Sequence, residues 1–426
     1  MPAELVRESD AEMVVQITIK KSSNFYECEK NIRQALNEGG TLATGKCLED
    51  FDADGSPIMI GNRKLTAKRT KISKKYETPY GLSTVDRYAY QGPEGGGVFF
   101  PMEANARIVG GSTPLFAQSV SYLYSNNNSS VTQSSLEQLT ERVISRCLIQ
   151  DLSATVAEQV EAKSRHLSYS HCEPPPADVS FVSIGLDGTC MLLCGGEYRQ
   201  AMVGTLAFYD ARGERLHTNY IAAAPEHGKA TFLQRMDEEI ERIKTKYGGV
   251  RYVGISDGAS DYLPWLKRHT STQVLDFWHA TEYLGGSAGA IHRSKAKQKE
   301  WLDETCHNLK HDHGAAELIL GELEKAFEKP NLSAGVREKL EAALSYFGNN
   351  LDRMNYASYR KTHLPIGSGV TEAACKTLVK SRMCGSGMKW KQSGSDGVLT
   401  LRALSLTTSR WEAFWENLAK NGLTTI

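Results

Sequence analysis

Three acidic residues stand where carboxylates can do chemistry. Phe181 to Gly188 and Tyr252 to Gly258 are apolar runs that each close on Asp-Gly, at Asp187 and Asp257. A carboxylate at a strand end, followed by a glycine that lets backbone or ligand approach closely, is aimed into a cleft. The ordinary alternative is turn chemistry, because Asp-Gly is a favoured hairpin dipeptide. Both runs read as buried strands, however, where a carboxylate is costly unless it is paired or metal-bound. The third acid is Glu372, in the segment from His363 to Lys376. There Gly367-Ser368-Gly369 suits a tight backbone leading into a helix, and Glu372 falls in its first turn, where the helix dipole favours negative charge. Plain stabilisation of the helix start is the alternative for Glu372.

The chain must also supply elements that position these acids. It has 426 residues, enough for two or three domains, and 40% hydrophobic against 23% charged residues, as in globular proteins. The run Val179 to Leu186, the alternating Met202 to Tyr209 and His217 to Ala224 predict three strands joined by turns. Phe232, Met236, Ile240, Ile243 and Tyr247 then recur at helical spacing, before strands at Val250 to Ser256 and Thr272 to Phe277. The order βββαβαβ predicts an α/β fold with a mixed sheet, its first strands antiparallel and its later ones joined by helical crossovers. From 284 to 363 the pattern is helical, which predicts an all-helical insertion between the second and third acids. The division predicted is 1–110, strand-rich; 111–173, helical, a helix-turn-helix DNA-binding region with a small helical bundle as the plainer alternative; 177–283, first part of the α/β domain; 284–363, the insertion; and 364–426, last part of the α/β domain with C-terminal helices. Pro174-Pro175-Pro176 marks the linker.

The 50 Lys and Arg are balanced by 50 Asp and Glu, a total that on its own argues against a polyanionic partner. The distribution reverses that inference. Gly61 to Tyr76 carries seven basic residues, Lys68, Arg69 and Lys71 among them, and no acid. From Lys361 onward nine basic residues face four acids. Lys376, Lys380 and Arg382 share the helix of Glu372, and Lys389-Trp390-Lys391 interleaves charge with an aromatic ring, as expected of a DNA-backbone groove with stacking. A solvated basic face is the alternative. No apolar run approaches the ~18 residues of a membrane span, and the acidic stretch after Met1 predicts no secretory signal. Nine cysteines without a CxxC pair predict reduced thiols in a cytoplasmic setting. His307, His311 and His313 read as surface histidines, and Cys190 and Cys194 as packing residues.

In these blocks the sequence resembles DDE transposases of bacterial insertion sequences, most closely the ISKra group. The resemblance is carried by Ile184 to Thr189, Gly254 to Ala259, Asp276 to Leu284, Pro365 to Lys376, Arg382, Gly387 to Trp390 and Arg410-Trp411. It spans somewhat over half the chain. It implies an RNase H-like catalytic domain with Asp187, Asp257 and Glu372 as the acidic triad, and the helical insertion read above. Such a triad can hold two Mg²⁺ ions about 3.5–4 Å apart, with Mn²⁺ as a substitute, Asp187 bridging and Asp257 and Glu372 completing one site each. Asp276-x-x-His279 is similar to the D/C-x-x-H motif of Mutator-like transposases; His279 then reads as a proton carrier or phosphate contact and Asp276 as its orienter, with packing beside Trp278 as the alternative. Relatives carry a cysteine pair near the N-terminus where this chain has Tyr90 to Gly97, so no N-terminal zinc is predicted. The expected function is a metal-dependent transposase, in the bacterial cytoplasm at the nucleoid and without a membrane, that binds terminal inverted repeats, cleaves at the element's ends and joins 3′-hydroxyls to target DNA as a homodimer or larger assembly. The alternatives are a catalytically silent domesticated transposase acting as a DNA-binding regulator, and a two-metal nuclease without strand transfer.

Overall fold

The computed structural model describes residues 3–164, 172–258, 260–330 and 332–424. Part of the expected 111–173 region and Ala259 of the second acidic block lie outside the described residues. The N-terminal elements are β1 (Ala3–Glu8), β2 (Met13–Ile17), α1 (Phe25–Asp50), β3 (Ile58–Ile60), β4 (Arg63–Ala67), β5 (Ile72–Glu77), β6 (Leu82–Arg87), β7 (Tyr90–Gly92) and β8 (Gly95–Phe99). Four helices follow: α2 (Pro101–Asn105), α3 (Pro114–Asn126), α4 (Ser129–Thr140) and α5 (Arg146–Ser164). The middle of the chain forms β9 (Phe181–Leu192), β10 (Tyr198–Tyr209), β11 (Arg215–Ala223), α6 (Ala230–Lys246), β12 (Arg251–Ser256), α7 (Leu263–His269) and β13 (Thr272–Leu275). Helices α8 (Phe277–Ile291), α9 (Lys295–His311), α10 (Ala315–Phe327), α11 (Ala334–Gly348) and α12 (Tyr356–Lys361) come next. The chain ends with α13 (Gly369–Ala374), a π-helical turn (Cys375–Lys380), α14 (Ser381–Met383), α15 (Gln392–Ser405) and α16 (Thr408–Asn421). Among the described residues no helix is long and apolar enough to cross a membrane.

Contacts divide the chain into two units, Met1–Leu167 with Asp396–Ile426, and Ser168–Ser395. The boundary at 396 falls inside the expected 364–426 segment. Residues beyond that point are tied to the N-terminal unit: buried Arg402 donates to the Ser125 carbonyl at 2.7 Å, and Gln159 Nε2 to the Thr424 carbonyl at 3.0 Å. The first unit also holds an element that its sequence hides. Helix α1 runs for 26 residues through a region expected to be strand-rich, yet buries only Ala35, Gly39 and Leu48. Its contact face is glycine: a Cβ on Gly39 would stand 2.8 Å from Ile17 Cγ2, and one on Gly45 2.7 Å from Ser83 Oγ. With so small a face no apolar stripe appears, which is why periodicity missed it. Within the strand-rich region β4 and β5 belong to separate sheets, and Gly92 to Gly97 carries the β7–β8 hairpin. Helices α3 and α4 both pack on α5.

The second unit is built on one five-stranded sheet in the order β11-β10-β9-β12-β13. The β9–β10 and β10–β11 pairs are antiparallel, and the β9–β12 and β12–β13 pairs are parallel. This is the mixed sheet that the element order predicts. Side chains alternate between the sheet's faces. Val182, Ile184 and Leu186 of β9 face a core shared with Phe232, Met236, Ile240 and Ile243 of α6. On the opposite face the helices α8 to α11 contribute Leu284, Trp301, Leu323, Leu340 and Phe347 to a second core that includes Phe181, Val253 and Ile255. Helix α7 closes on β12 at Gly254, where a Cβ would stand 2.5 Å from Cγ of the fully buried Leu266.

That close approach yields a stability test. Gly254→Ala should destabilise the second unit by about 1–3 kcal/mol, because overpacking outweighs the usual gain from replacing a strand glycine. Denaturant titration of the full chain checks it; an unchanged or raised midpoint would contradict the packing described.

Candidate active site

The sheet places two of the acids by unequal strand length. Strand β12 pairs with β9 from Arg251↔Phe181 to Ile255↔Gly185, and β9 then continues without it to Leu192. Asp187 lies in that overhang, half-buried and opposite Val203 of β10. The sequence expectation that the strand stops at Asp187-Gly188 is corrected: β9 runs on because Gly188 pairs with Met202, and any side chain there would meet Gln200, a Cβ standing 2.3 Å from its Cδ. Asp187 Oδ1 accepts the Gly188 N–H at 2.6 Å. Asp257 follows the last residue of the neighbouring parallel strand, so both acids stand at the same end of the sheet. Its glycine does obey the turn reading: Gly258 has φ +102°, and a Cβ there would lie 2.7 Å from Tyr346 Cε2.

Glu372 arrives on α13, which crosses the face of β9 that carries Asp187. Gly185 is the contact point, with a Cβ there only 2.1 Å from Thr371 Oγ1, and the Thr371 and Thr205 hydroxyls are 2.8 Å apart. The next turn of this helix is π-helical and begins at Cys375, which is buried. Burial pushes the Cys375 thiol well above its ordinary range, and the Asp187 carboxylate, which also accepts its hydrogen bond, and the Glu372 carboxylate push it further. The thiol thus stays neutral between two of the acids.

Asp276 and His279 lie at the start of α8. Asp276 is fully buried and caps the helix: Oδ1 accepts the His279 amide at 2.9 Å, while Oδ2 accepts both the amide and, at 2.6 Å, the hydroxyl of Ser368. Burial by itself would raise the pKa of this carboxyl, but the Ser368 and His279 donors outweigh it and hold the group below the usual carboxylate range. Ser368 Oγ is also 2.5 Å from Glu372 Oε1. As a result Asp276, His279 and Glu372 each bring one ligand atom within 4.8 Å of the others. Among the described residues this is the one such group, so Asp187 and Asp257 do not close with Glu372 to that distance. The His279 ring is 37% exposed, with Nδ1 3.4 Å from Asp276 Oδ1 and no hydrogen-bond partner.

The helical insertion supports Asp257. Tyr346 of α11 donates its hydroxyl to the Asp257 carbonyl at 2.9 Å, and Arg353, 2% exposed, donates from Nη1 to Ser256 Oγ at 3.0 Å. Neither Tyr346 nor Arg353, nor Ser368 or Cys375, stood out from residue pattern. Arg353 sits in a polar turn that gives no sign of burial, and Ser368 had a signal only in lying between two glycines.

The basic candidates separate by exposure. Lys376, Lys380, Lys389 and Lys391 are exposed on or after the Glu372 helix. Arg382 is not: it is buried, with its guanidinium 5.1 Å above the Trp390 ring, and the indole N–H is bound to the Met383 carbonyl. The expected groove contacts Arg382 and Trp390 are therefore joined to each other. In the first unit Lys68 and Arg69 are exposed, while Lys71 pairs with Asp52 at 3.3 Å and covers Tyr88. Cys190 and Cys194, expected as packing residues, are exposed.

No protein-family model matches the chain, and no curated protein does. Among solved structures it is similar to a chain of a Drosophila P element transposase strand transfer complex, at 9% identity over 71% of this chain and 80% of that one, with a TM-score of 0.25. A likeness of that size fixes neither fold nor function. The resemblance to insertion-sequence transposases rests on the residue blocks themselves.

The buried Asp276 carboxylate gives a pH test. With its pKa depressed, its contribution to stability is complete above the unfolded value of about 3.9 and is lost as pH falls through the folded value. The stability difference between the wild type and Asp276→Asn should be constant above about pH 5 and shrink below about pH 4. Denaturant midpoints measured from pH 2 to 7 check this; a difference that grows on acidification would contradict it.

Proposed function

We propose that the chain is a metal-dependent DNA transposase of the DDE type, with an RNase H-like catalytic domain in which Asp187, Asp257 and Glu372 are the catalytic acids. The observation that carries the reading is the overhang of β9 past β12. It leaves Asp187 and Asp257 at one end of neighbouring parallel strands, while α13 brings Glu372 across the same face. Such an end of an open α/β sheet is where ligands bind.

The donor set suits a hard divalent cation. All three groups are carboxylates, hard oxygen donors of the kind such a cation prefers. Asp187, Asp257 and Glu372 would hold Mg²⁺ or Mn²⁺, two ions in this reading, which when bound polarise the phosphodiester and the attacking oxygen. The chain's own residues do the rest. Lys376 and Lys380, on the exposed side of the Glu372 helix, draw the phosphate backbone toward the acids. His279, half-exposed beside Asp276, is placed to contact a phosphate or pass a proton. Lys68 and Arg69 and helices α3 to α5 are proposed to engage the terminal inverted repeats, and pairing of two ends calls for a homodimer or larger assembly acting in the bacterial cytoplasm.

Asp187→Asn should lower Mg²⁺-dependent cleavage and joining of end-sequence DNA by on the order of 10³-fold or more, with the fold intact by circular dichroism. Full activity in this variant would overturn the assignment. Product analysis of the wild type separates the rival readings, since nicks without joined strands mean a two-metal nuclease and binding without cleavage means a DNA-binding regulator. Lys376→Gln with Lys380→Gln should reduce the slope of log affinity against log salt by about 2, whereas Lys325→Gln with Lys339→Gln should leave it unchanged. Equal effects of the two pairs would remove the proposed track.

A further inference from the structure

We infer that Asp276 is a positioning residue for Glu372, acting through the Ser368 hydroxyl, rather than chiefly the orienter of His279. The inference deepens the proposed function and rests on Glu372 being a metal-holding acid. The contacts run in one direction. Asp276 is fully buried on β13's continuation into α8, where its own amide donates to the Ser256 carbonyl at 2.9 Å, so its backbone is fixed to the strand that leads to Asp257. The following amide, of Phe277, donates to the Ile366 carbonyl at 2.9 Å and fastens the approach to Gly367-Ser368-Gly369 alongside. Asp276 Oδ2 then receives both donors of Ser368, and Ser368 Oγ reaches Glu372 Oε1 at 2.5 Å.

The contact to His279 is weaker in kind. What Asp276 holds there is the His279 backbone amide, as a helix cap; the ring nitrogen is 3.4 Å away and makes no hydrogen bond. Glu372, by contrast, is an exposed side chain with several rotatable bonds, and among the described residues Ser368 supplies the one side-chain hydrogen bond it makes. The bracket occupies Oε1 and leaves Oε2 for a cation. A serine hydroxyl has a single proton, which is shared between the two carboxylates, while the Ser368 amide keeps Asp276 satisfied when that proton turns to Glu372. Partners of this type that orient a ligand typically contribute 10–100-fold to metal affinity.

The test is Mn²⁺ binding to the full chain, followed by electron paramagnetic resonance and calorimetry, with single-turnover cleavage of end-sequence DNA alongside. Ser368→Ala should weaken Mn²⁺ binding by about 10–100-fold and lower the cleavage rate, and Ser368→Thr, which keeps the hydroxyl, should restore most of both. Thermal melts confirm that each variant folds, and Asp276→Asn supplies a second route to the same loss. Asp187→Ala serves as the reference. If Asp187→Ala loses Mn²⁺ but Ser368→Ala binds it as the wild type does, or more tightly, the bracket is overturned and the active-site reading stands. If Asp187→Ala also binds Mn²⁺ normally, the active-site reading falls and the bracket with it.

Discussion

Everything at this site depends on the pairing of two parallel strands of unequal reach. Because β12 leaves β9 after Gly185, the segment of β9 that carries Asp187 has β10 as its one neighbouring strand, and Trp390 binds its far end at Leu192. The turn after β12 then delivers Asp257 to the same place. A carboxylate half-buried at such an edge is costly if nothing charged or hydrogen-bonding meets it. Its surroundings answer that cost with the Gly188 amide and the Cys375 thiol at Asp187.

The helical insertion is tied to this geometry as well. It covers one face of the sheet with an apolar core, and two of its polar residues reach past that core to the strand end, Tyr346 at the Asp257 carbonyl and Arg353 at Ser256. A buried guanidinium is retained only where its donors are used, and two of Arg353's are. The insertion thus holds the turn that carries the second acid, and does more than fill the gap in sequence before the third.

The sheet was legible in the sequence because each strand has a strong local signature: the apolar run from Val179 to Leu186, the alternation from Met202 to Tyr209, and the helical spacing of Phe232, Met236, Ile240 and Ile243 over them. What escaped reading depended on close approach or on long-range partners. Helix α1 packs through Gly39 and Gly45, which leave no periodic trace. The continuation of β9 beyond Asp187 is decided by Gly188 facing Met202 on another strand, so the local Asp-Gly pair pointed to a turn that does not form. Arg382 looks from its neighbours like a surface cation, and only the position of Trp390 reveals that its charge is covered. The candidate acids were visible as residues, whereas the Ser368 contact that draws Glu372 toward Asp276 was not, since it joins positions 92 residues apart.

The central claim is that Asp187, Asp257 and Glu372 hold the catalytic cations, and the most direct measurement is an anomalous-scattering map from crystals of the full chain soaked in Mn²⁺. The account predicts Mn²⁺ peaks bonded to carboxylate oxygens of Asp187, with Asp257 and Glu372 as the further ligands. Mn²⁺ bound only by Asp276 and His279, or bound nowhere near the β9 overhang, would contradict it.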